Sequence, residues 1–542
     1  MFMNYSDLPG YQNLFLDYIY EFENVEKYFK NNFRDESIYP QVFEDLESIA
    51  RPHRGDLVSI IKTQYETYSK SKKTEINIDY LASPKTIAVV TGQQLSILGG
   101  PLYTFYKTIT AIKLCKQLKE KYPSYNFVPV FWMEGDDHDF LEVVSFNLID
   151  AQNEVKTIVY DDGLNEDENR GSVGKIKFQD SIQRVFDELK ENLRATEFTD
   201  KIFENLNRFY SEGKSFESAF RDLLFSIFDE HGLIIFNPND PLVKFLLKDI
   251  FKKEVSDFRI HSDPVLLRSA ELEEVYHAQI KIKPVNLFFN DNNGRYLIEP
   301  FDEGFRLRGR RRKFTTDELL ELTENSPELF SPNVMLRPIC QDFLFPTAFY
   351  IAGPSEISYF AQILPMYESY KIQSPIIFPR ASITVIEKNI KNLMEKFNIT
   401  LHDLFADDKE LTFKILNSLS ETNISEVFTS SKGRINDLLS ELKSALLEID
   451  DNMLGITDKA ISRIHQSLDH LFDKSKDFQE RKHETIVRQL NRLKTNLYPN
   501  NSLQEREINY FYFENKYGVE IFKQIFDSLN INAFEHQIIE LE

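Results

Sequence analysis

The sequence predicts an α/β fold in which a parallel sheet is begun early, interrupted by a large insertion, resumed late and followed by a helical region. Three observations carry this. A β-branched apolar run, Ile87-Ala88-Val89-Val90, is closed by Thr91-Gly92, and a helical pattern follows through Tyr106, Ile109, Ile112, Lys113 and Leu118, ending before Pro123. A second buried run, Phe127-Val128-Pro129-Val130-Phe131-Trp132, comes next; strand, glycine turn, helix, strand is how a parallel α/β sheet opens. The same signals return at Thr347-Ala348-Phe349-Tyr350-Ile351-Ala352, with Gly353-Pro354, a helix over 357–370 and a strand at Pro375-Ile376-Ile377-Phe378.

In chain order, residues 1–84 read as aromatic-rich helical segments packing on the core, with a polar stretch over 69–77. Residues 85–150 hold the first half of the sheet. The stretch 151–330 has the mixed texture of a connective insertion. It contains polar loops over 161–174, an amphipathic helical stretch over 182–209 and the apolar run Leu233-Ile234-Ile235-Phe236. It also contains a hairpin over 286–299, turned by Asn290-Asp291-Asn292-Asn293-Gly294. Residues 331–385 hold the second half of the sheet. From 386 to 542 the pattern is helical. Ile435, Leu439, Leu442, Leu446, Ile449, Met453, Ile456 and Ala460 recur in steps of four and three without a break, as do Ile486, Leu490, Leu493 and Leu497. Such spacing holds an apolar seam against a partner helix. Gly455 marks the expected bend in the first run.

Composition removes several classes. With 542 residues, 42% of them apolar, the chain can bury a sizeable core in more than one unit. No apolar stretch approaches the roughly 20 residues that span a bilayer, and the acidic start, broken by Pro9 and Gly10, is not a secretory signal. Two cysteines, Cys115 and Cys340, exclude a disulfide framework and fit a reducing cytoplasm; each reads as a buried, inert thiol. A net charge of −22 disfavours nucleic acid, whose binding rests on cations that displace counterions. The one basic cluster, Arg308-Gly309-Arg310-Arg311-Arg312-Lys313, reads as a solvated loop leading into a helix that begins at Asp317-Glu318 and is capped by Thr315 or Thr316.

Five segments gather polar side chains at strand ends, where open parallel sheets take ligands. The first, 91–104, holds Gly92, Gln93, Gln94, Gly99, Gly100, Pro101, Tyr103 and Thr104, with Lys107 one helical turn beyond. Glycines let backbone approach a ligand, and the following helix offers free N–H groups to an anion. The second is Trp132-Met133-Glu134-Gly135-Asp136-Asp137-His138-Asp139, whose acids and histidine can orient an amine or move a proton. Crowded acids also need a neutralising partner. In the third, Arg337-Pro338-Ile339-Cys340-Gln341, the arginine either grips a ligand carboxylate or neutralises the second segment, with Gln341 beside it. The fourth is Gly353-Pro354-Ser355-Glu356 with Tyr359, and the fifth is Pro379-Arg380.

These segments, in this order, resemble the cysteine-adding enzymes of bacillithiol biosynthesis. The matches are Gly92-Gln93-Gln94, Gly100-Pro101-Leu102-Tyr103-Thr104 with Lys107, Pro129-Val130-Phe131-Trp132 and Asp137-His138-Asp139. Arg337-Pro338, Ile351-Ala352-Gly353-Pro354 with Glu356, Ile357 and Tyr359, and Pro379-Arg380 complete them. The resemblance spans essentially the whole chain. It implies a Rossmann-like core akin to class I aminoacyl-tRNA synthetases and nucleotidyltransferases, with connective insertions and a C-terminal coiled coil that pairs subunits into a homodimer. It also implies a cytoplasmic ligase that forms the amide between L-cysteine and the amino group of glucosaminyl-malate. Gly99-Gly100-Pro101-Leu102 stands where the synthetases carry His-Ile-Gly-His, and Pro379-Arg380-Ala381-Ser382 where they carry Lys-Met-Ser-Lys-Ser. The cofactor is therefore not fixed: a nucleotide is admissible, and there is no metal-ligand motif, P-loop or dinucleotide fingerprint. On this reading Asp137 and Asp139 bind an amine and His138 assists proton removal. Turn amides at Gly92 and Gly100, with Gln93, Lys107 and Arg337, hold carboxylates or a phosphate, and Glu356 and Tyr359 complete a sugar pocket. Two other classes fit the same residues: a non-catalytic anion-binding scaffold, and a nucleotidyltransferase-like enzyme acting on another small carboxylate or amine.

Overall fold

The computed structural model describes residues 1–166, 168–291, 294–419, 423–450 and 452–541. By its internal contacts the chain forms two compact units, Met1–Thr384 with Gln504–Ile539, and Val385–Leu503 with Glu540–Glu542.

The first unit is built on five strands: β1 (Thr86–Gln94), β2 (Asn126–Glu134), β3 (Ile234–Phe236), β4 (Thr347–Ala352) and β5 (Ile376–Pro379). They pair in parallel in the order β5-β4-β1-β2-β3. The chain thus moves outward from β1 to β3, returns to the other side of β1 and moves outward again, leaving a switch point between β1 and β4. Nearly every strand residue is buried, as expected for a parallel sheet covered by helices. Helix α1 (Tyr103–Lys121) joins β1 to β2, α2 (Leu336–Leu344) precedes β4, and α3 (Pro354–Tyr370) follows it. Helix Tyr39–Ser48 inserts Phe43 against Phe127 and Phe349 of the sheet, with ring centroids at 5.3 and 6.2 Å.

Several expectations need correction. Strand β1 runs on through Gln94 because its ladder with β2 continues, pairing Gly92 with Trp132 and Gln94 with Glu134. Gly92 is therefore not a turn residue. It permits a close approach: a Cβ there would meet the Trp132 carbonyl oxygen at 2.9 Å. The polar stretch 69–77 is mostly helix, because Ser71 accepts from the Thr74 N–H and caps Lys72–Tyr80. The amphipathic stretch 182–209 forms two helices, Ile182–Asn192 and Thr199–Phe209.

The stretch 151–330 is more than an insertion, since it supplies β3 to the core sheet. It also supplies four strands of a five-stranded antiparallel sheet, completed by Phe330–Pro332. The expected hairpin is there as Leu287–Asp291 against Gly294–Phe301, while Asn292 and Asn293 of its turn lie outside the described residues. The basic cluster leads into Thr316–Asn325, whose Thr315 and Glu318 form a reciprocal capping box. Both cysteines are buried, and burial pushes both thiols up.

In the second unit Ile424–Leu447 and Met453–Lys482 fold back on each other as a helical hairpin. Phe428 meets Phe472 at 5.0 Å between centroids, and Lys443 pairs with Asp458 at 2.6 Å. The apolar run is therefore interrupted, and the break falls after Leu447, ahead of the expected Gly455, which lies inside the second helix. No helix among the described residues is long and apolar enough to cross a membrane.

Candidate active site

Beyond the carboxyl ends of the core strands, at the switch point, lies a cavity of about 600 Å³. Strands β1, β2, β4 and β5 deliver Gln93, Trp132, Gly353 and Arg380 to it; α1 and α2 deliver Lys107 and Arg337; and the antiparallel sheet closes it with Phe288, Arg295 and Leu297.

Three networks set its electrostatics. In the first, the buried Lys107 ammonium contacts Glu356 Oε2 at 2.5 Å and donates to the Gly92 carbonyl and Gln93 Oε1, both at 3.0 Å. Glu356 is the third residue of α3, where its carboxylate also accepts from the Gly353 N–H (2.7 Å) and the Tyr350 hydroxyl (2.7 Å). Burial works to raise this carboxyl, but Lys107 and those donors hold it below the usual range.

In the second, Arg337 pairs with Glu134 through Nε at 2.9 Å and donates to Tyr359 OH at 2.7 Å, Tyr350 OH at 3.1 Å and Gln341 Oε1 at 2.8 Å. Arg337 thus neutralises the acidic segment and also lines the cavity. Burial pushes the Glu134 carboxyl up to about 7; Arg337 opposes this, while Asp137 and Asp136 reinforce it.

The third network disposes of the other acids. Asp136 pairs with buried Lys244 at 2.5 Å. Asp137 accepts from Gln94 Nε2 at 2.5 Å and from the His138 N–H at 2.7 Å. Burial works to raise Asp137, but the hydrogen bonds from His138 and Gln94, with Arg295 nearby, hold it well below the usual carboxylate range. Arg295 Nη1 lies 2.9 Å from His138 Nδ1. A guanidinium only donates, so Nδ1 is the acceptor and the imidazole proton sits on Nε2.

Gly92, Gln93, Gln94, Tyr103, Lys107, Trp132, Asp137, His138, Arg337, Gly353, Glu356, Tyr359 and Arg380, singled out in the sequence, all line this one cavity. Asp139 does not; it is exposed at the start of Phe140–Val143. Gly100 and Pro101 line a neighbouring cavity of about 290 Å³ that shares Gln94, Tyr103 and Arg506 with the main one. Their turn is no open anion cradle. The Gly100 N–H donates to Ile97 O, the Leu102 N–H to Ile508 O, and Asn509 Nδ2 donates to the Leu98 and Gly100 carbonyls. Thr104 is buried behind this turn, and Gln341 reaches the cavity only through Arg337.

Sequence reading missed Arg295, Lys281, Lys283 and Arg506. None carries a local signal, because loops and strands distant in sequence bring them in. Lys281, Lys283 and Arg506 form no ion pair among the described residues. Seven lysines and arginines face four carboxylates, so a strongly acidic chain presents a cationic cavity.

The model for the bacillithiol biosynthesis BshC N-terminal Rossmann-like domain matches residues 1–381, and that for the BshC C-terminal coiled-coil domain matches 383–541. The chain belongs to the BshC family. A Salinibacter ruber relative named "Putative cysteine ligase BshC" is 34% identical over 98% of this chain and 97% of its own length. Relatives of the same name from Chloroherpeton thalassium and a Geobacillus species are 34% and 30% identical, over 90% and 94% of this chain and 88% and 94% of their own. A Campylobacter jejuni structure described as a "putative arginyl t-RNA synthetase" matches over 79% of this chain and 95% of its own at 11% identity, with a TM-score of 0.18. The family is that of a cysteine ligase of bacillithiol biosynthesis, with a Rossmann-like domain followed by a coiled coil.

Proposed function

We propose that the chain joins the carboxyl group of L-cysteine to the amino group of glucosaminyl-malate, in the cytoplasm. The observation that carries this reading is the composition of one cavity. It holds a carboxylate kept anionic (Asp137), a carboxyl poised near neutrality (Glu134), and three cations that have no ion-pair partner among the described residues (Lys281, Lys283 and Arg506). A substrate with one ammonium and two malate carboxylates complements that set.

Amide formation needs an activated carboxyl carbon and an amine that has lost its extra proton. Asp137 pairs with the incoming ammonium. Glu134, with its carboxyl near 7, accepts the proton that frees the amine from its ammonium; as the C–N bond forms, the activating group departs with its electron pair and takes the second amine proton. The Nε2–H of His138 donates to the oxygen on which charge develops. This moves the base from His138, whose accepting nitrogen is occupied by Arg295, to Glu134.

Purified protein supplied with cysteine, glucosaminyl-malate and ATP is expected to yield bacillithiol. Glu134→Gln should lower kcat by about 10²–10⁴ with little change in KM, whereas Asp137→Asn should abolish the thiol product in a folded protein. Undiminished kcat in the Glu134 variant would remove the base assignment, and undiminished product from Asp137→Asn would remove the amine site.

The same reading includes a homodimer. Leu442, Ile449 and Ile456 of the C-terminal seam remain 52%, 76% and 63% exposed, and covering them would complete the seam. Light scattering should return twice the chain mass; the mass of a single chain at micromolar concentration would contradict it.

A further inference from the structure

A further cavity, of about 230 Å³, shares no lining residue with the main one. Its walls carry Arg51, Arg54, Lys253 and Lys371, and its single carboxylate is Asp342. That carboxylate is already engaged, accepting from the Tyr367 hydroxyl at 2.5 Å and from Gln341 Nε2 at 2.8 Å. None of the four cations forms an ion pair among the described residues. Arg51 and Arg54 are held by backbone carbonyls alone: Arg51 by Leu46, and Arg54 by Leu81 and Ser83. The Arg51 Nε is buried with no hydrogen-bond partner. Burial and the neighbouring charge of Arg54 together pull Arg51 down to about 10, against the opposing pull of Asp342. In a chain of net charge −22, four cations gathered about one carboxylate that is already hydrogen-bonded form a local field that recruits an anion.

We propose that this cavity is a second ligand site, separate from the catalytic one, for a small oxyanion carrying a phosphate or a pair of carboxylates. Arg51 and Arg54 set guanidinium charge into the wall, and Lys253 and Lys371 close the exposed side as point charges. The volume admits phosphate or a four-carbon dicarboxylate but no macromolecule.

Titration calorimetry on the full chain with inorganic phosphate, and separately with succinate, tests this. At least one of the two should bind, with an affinity that Lys253→Glu/Lys371→Glu lowers about tenfold or more. Lys283→Glu, at the mouth of the main cavity, should leave that event unchanged. A response to phosphate alone assigns a phosphate ligand, and a response to succinate alone assigns a carboxylate ligand. Both lysines are exposed, so the variant should fold; if circular dichroism shows otherwise, Lys253→Gln/Lys371→Gln serves instead and should weaken binding in the same direction. If neither anion gives a binding event sensitive to these two lysines, the site does not exist.

Discussion

Glu254 accepts from the Asn286 N–H at 2.7 Å, the Asn286 side-chain amide at 3.0 Å and the Tyr370 hydroxyl at 2.6 Å, and it is fully buried. Burial pushes its carboxyl up to about 7 against these donors. The native state therefore keeps a proton that the unfolded chain gives up near pH 4.5. This contribution to stability is complete below about 4.5 and is lost as pH rises through 7. The loss is on the order of 3 kcal/mol. Denaturant unfolding followed by Trp132 fluorescence should show the wild type losing more stability than Glu254→Gln between pH 5 and 8; parallel pH profiles would contradict the assignment. Nothing around Glu254 in the sequence signals this state, because its partners come from loops and helices far along the chain. Gln93, Lys107 and Glu356 were legible for the opposite reason. Gln93 and Glu356 stand within a few residues of a strand end that an apolar run announces, and Lys107 stands one helical turn past the glycine segment that follows the first of these runs.

At the scale of elements, Gly92 sets how closely β1 approaches β2. Gly92→Ala places a methyl 2.9 Å from the Trp132 carbonyl and 3.4 Å from Glu134 Oε1, so the two strands must part where they open on the cavity. About 1–3 kcal/mol of destabilisation is expected, together with a changed Trp132 emission; unchanged melting and emission would show that the strands yield freely. The core strands and α1 were readable because parallel strands buried on both faces leave continuous apolar runs and the helix between them keeps its period. Strand β3 was readable as an apolar run but not as a member of the sheet, since three residues carry no record of their neighbour. The C-terminal seam gave its helices by period. It did not give the hairpin, because steps of three and four state that a partner exists without naming it.

At the scale of the whole molecule, the last part of the chain returns to the first unit. Glu505, fully buried, accepts from Arg380 Nη2 at 2.7 Å, Ser382 Oγ at 2.8 Å and the Ile383 N–H at 2.9 Å. Glu505→Ala leaves Arg380 buried without its counter-charge and should cost about 3–5 kcal/mol, read as a lower melting temperature; a melting temperature within a degree of wild type would show that Arg380 finds another partner. Residues 504–539 were expected with the helical tail. They form short helices and run into the strand His536–Glu540, and an ion pair across more than a hundred residues leaves no trace in local spacing.

That return has a consequence for how the protein is made. Arg506 lines the cavity, and Asn509 ties down the Gly100 turn. A ribosome must therefore deliver almost the entire polypeptide before the enzyme's working chamber can close. Until then the nascent sheet waits with Arg380 unanswered, and any break in synthesis within the long helices yields a protein with most of its residues and none of its finished site.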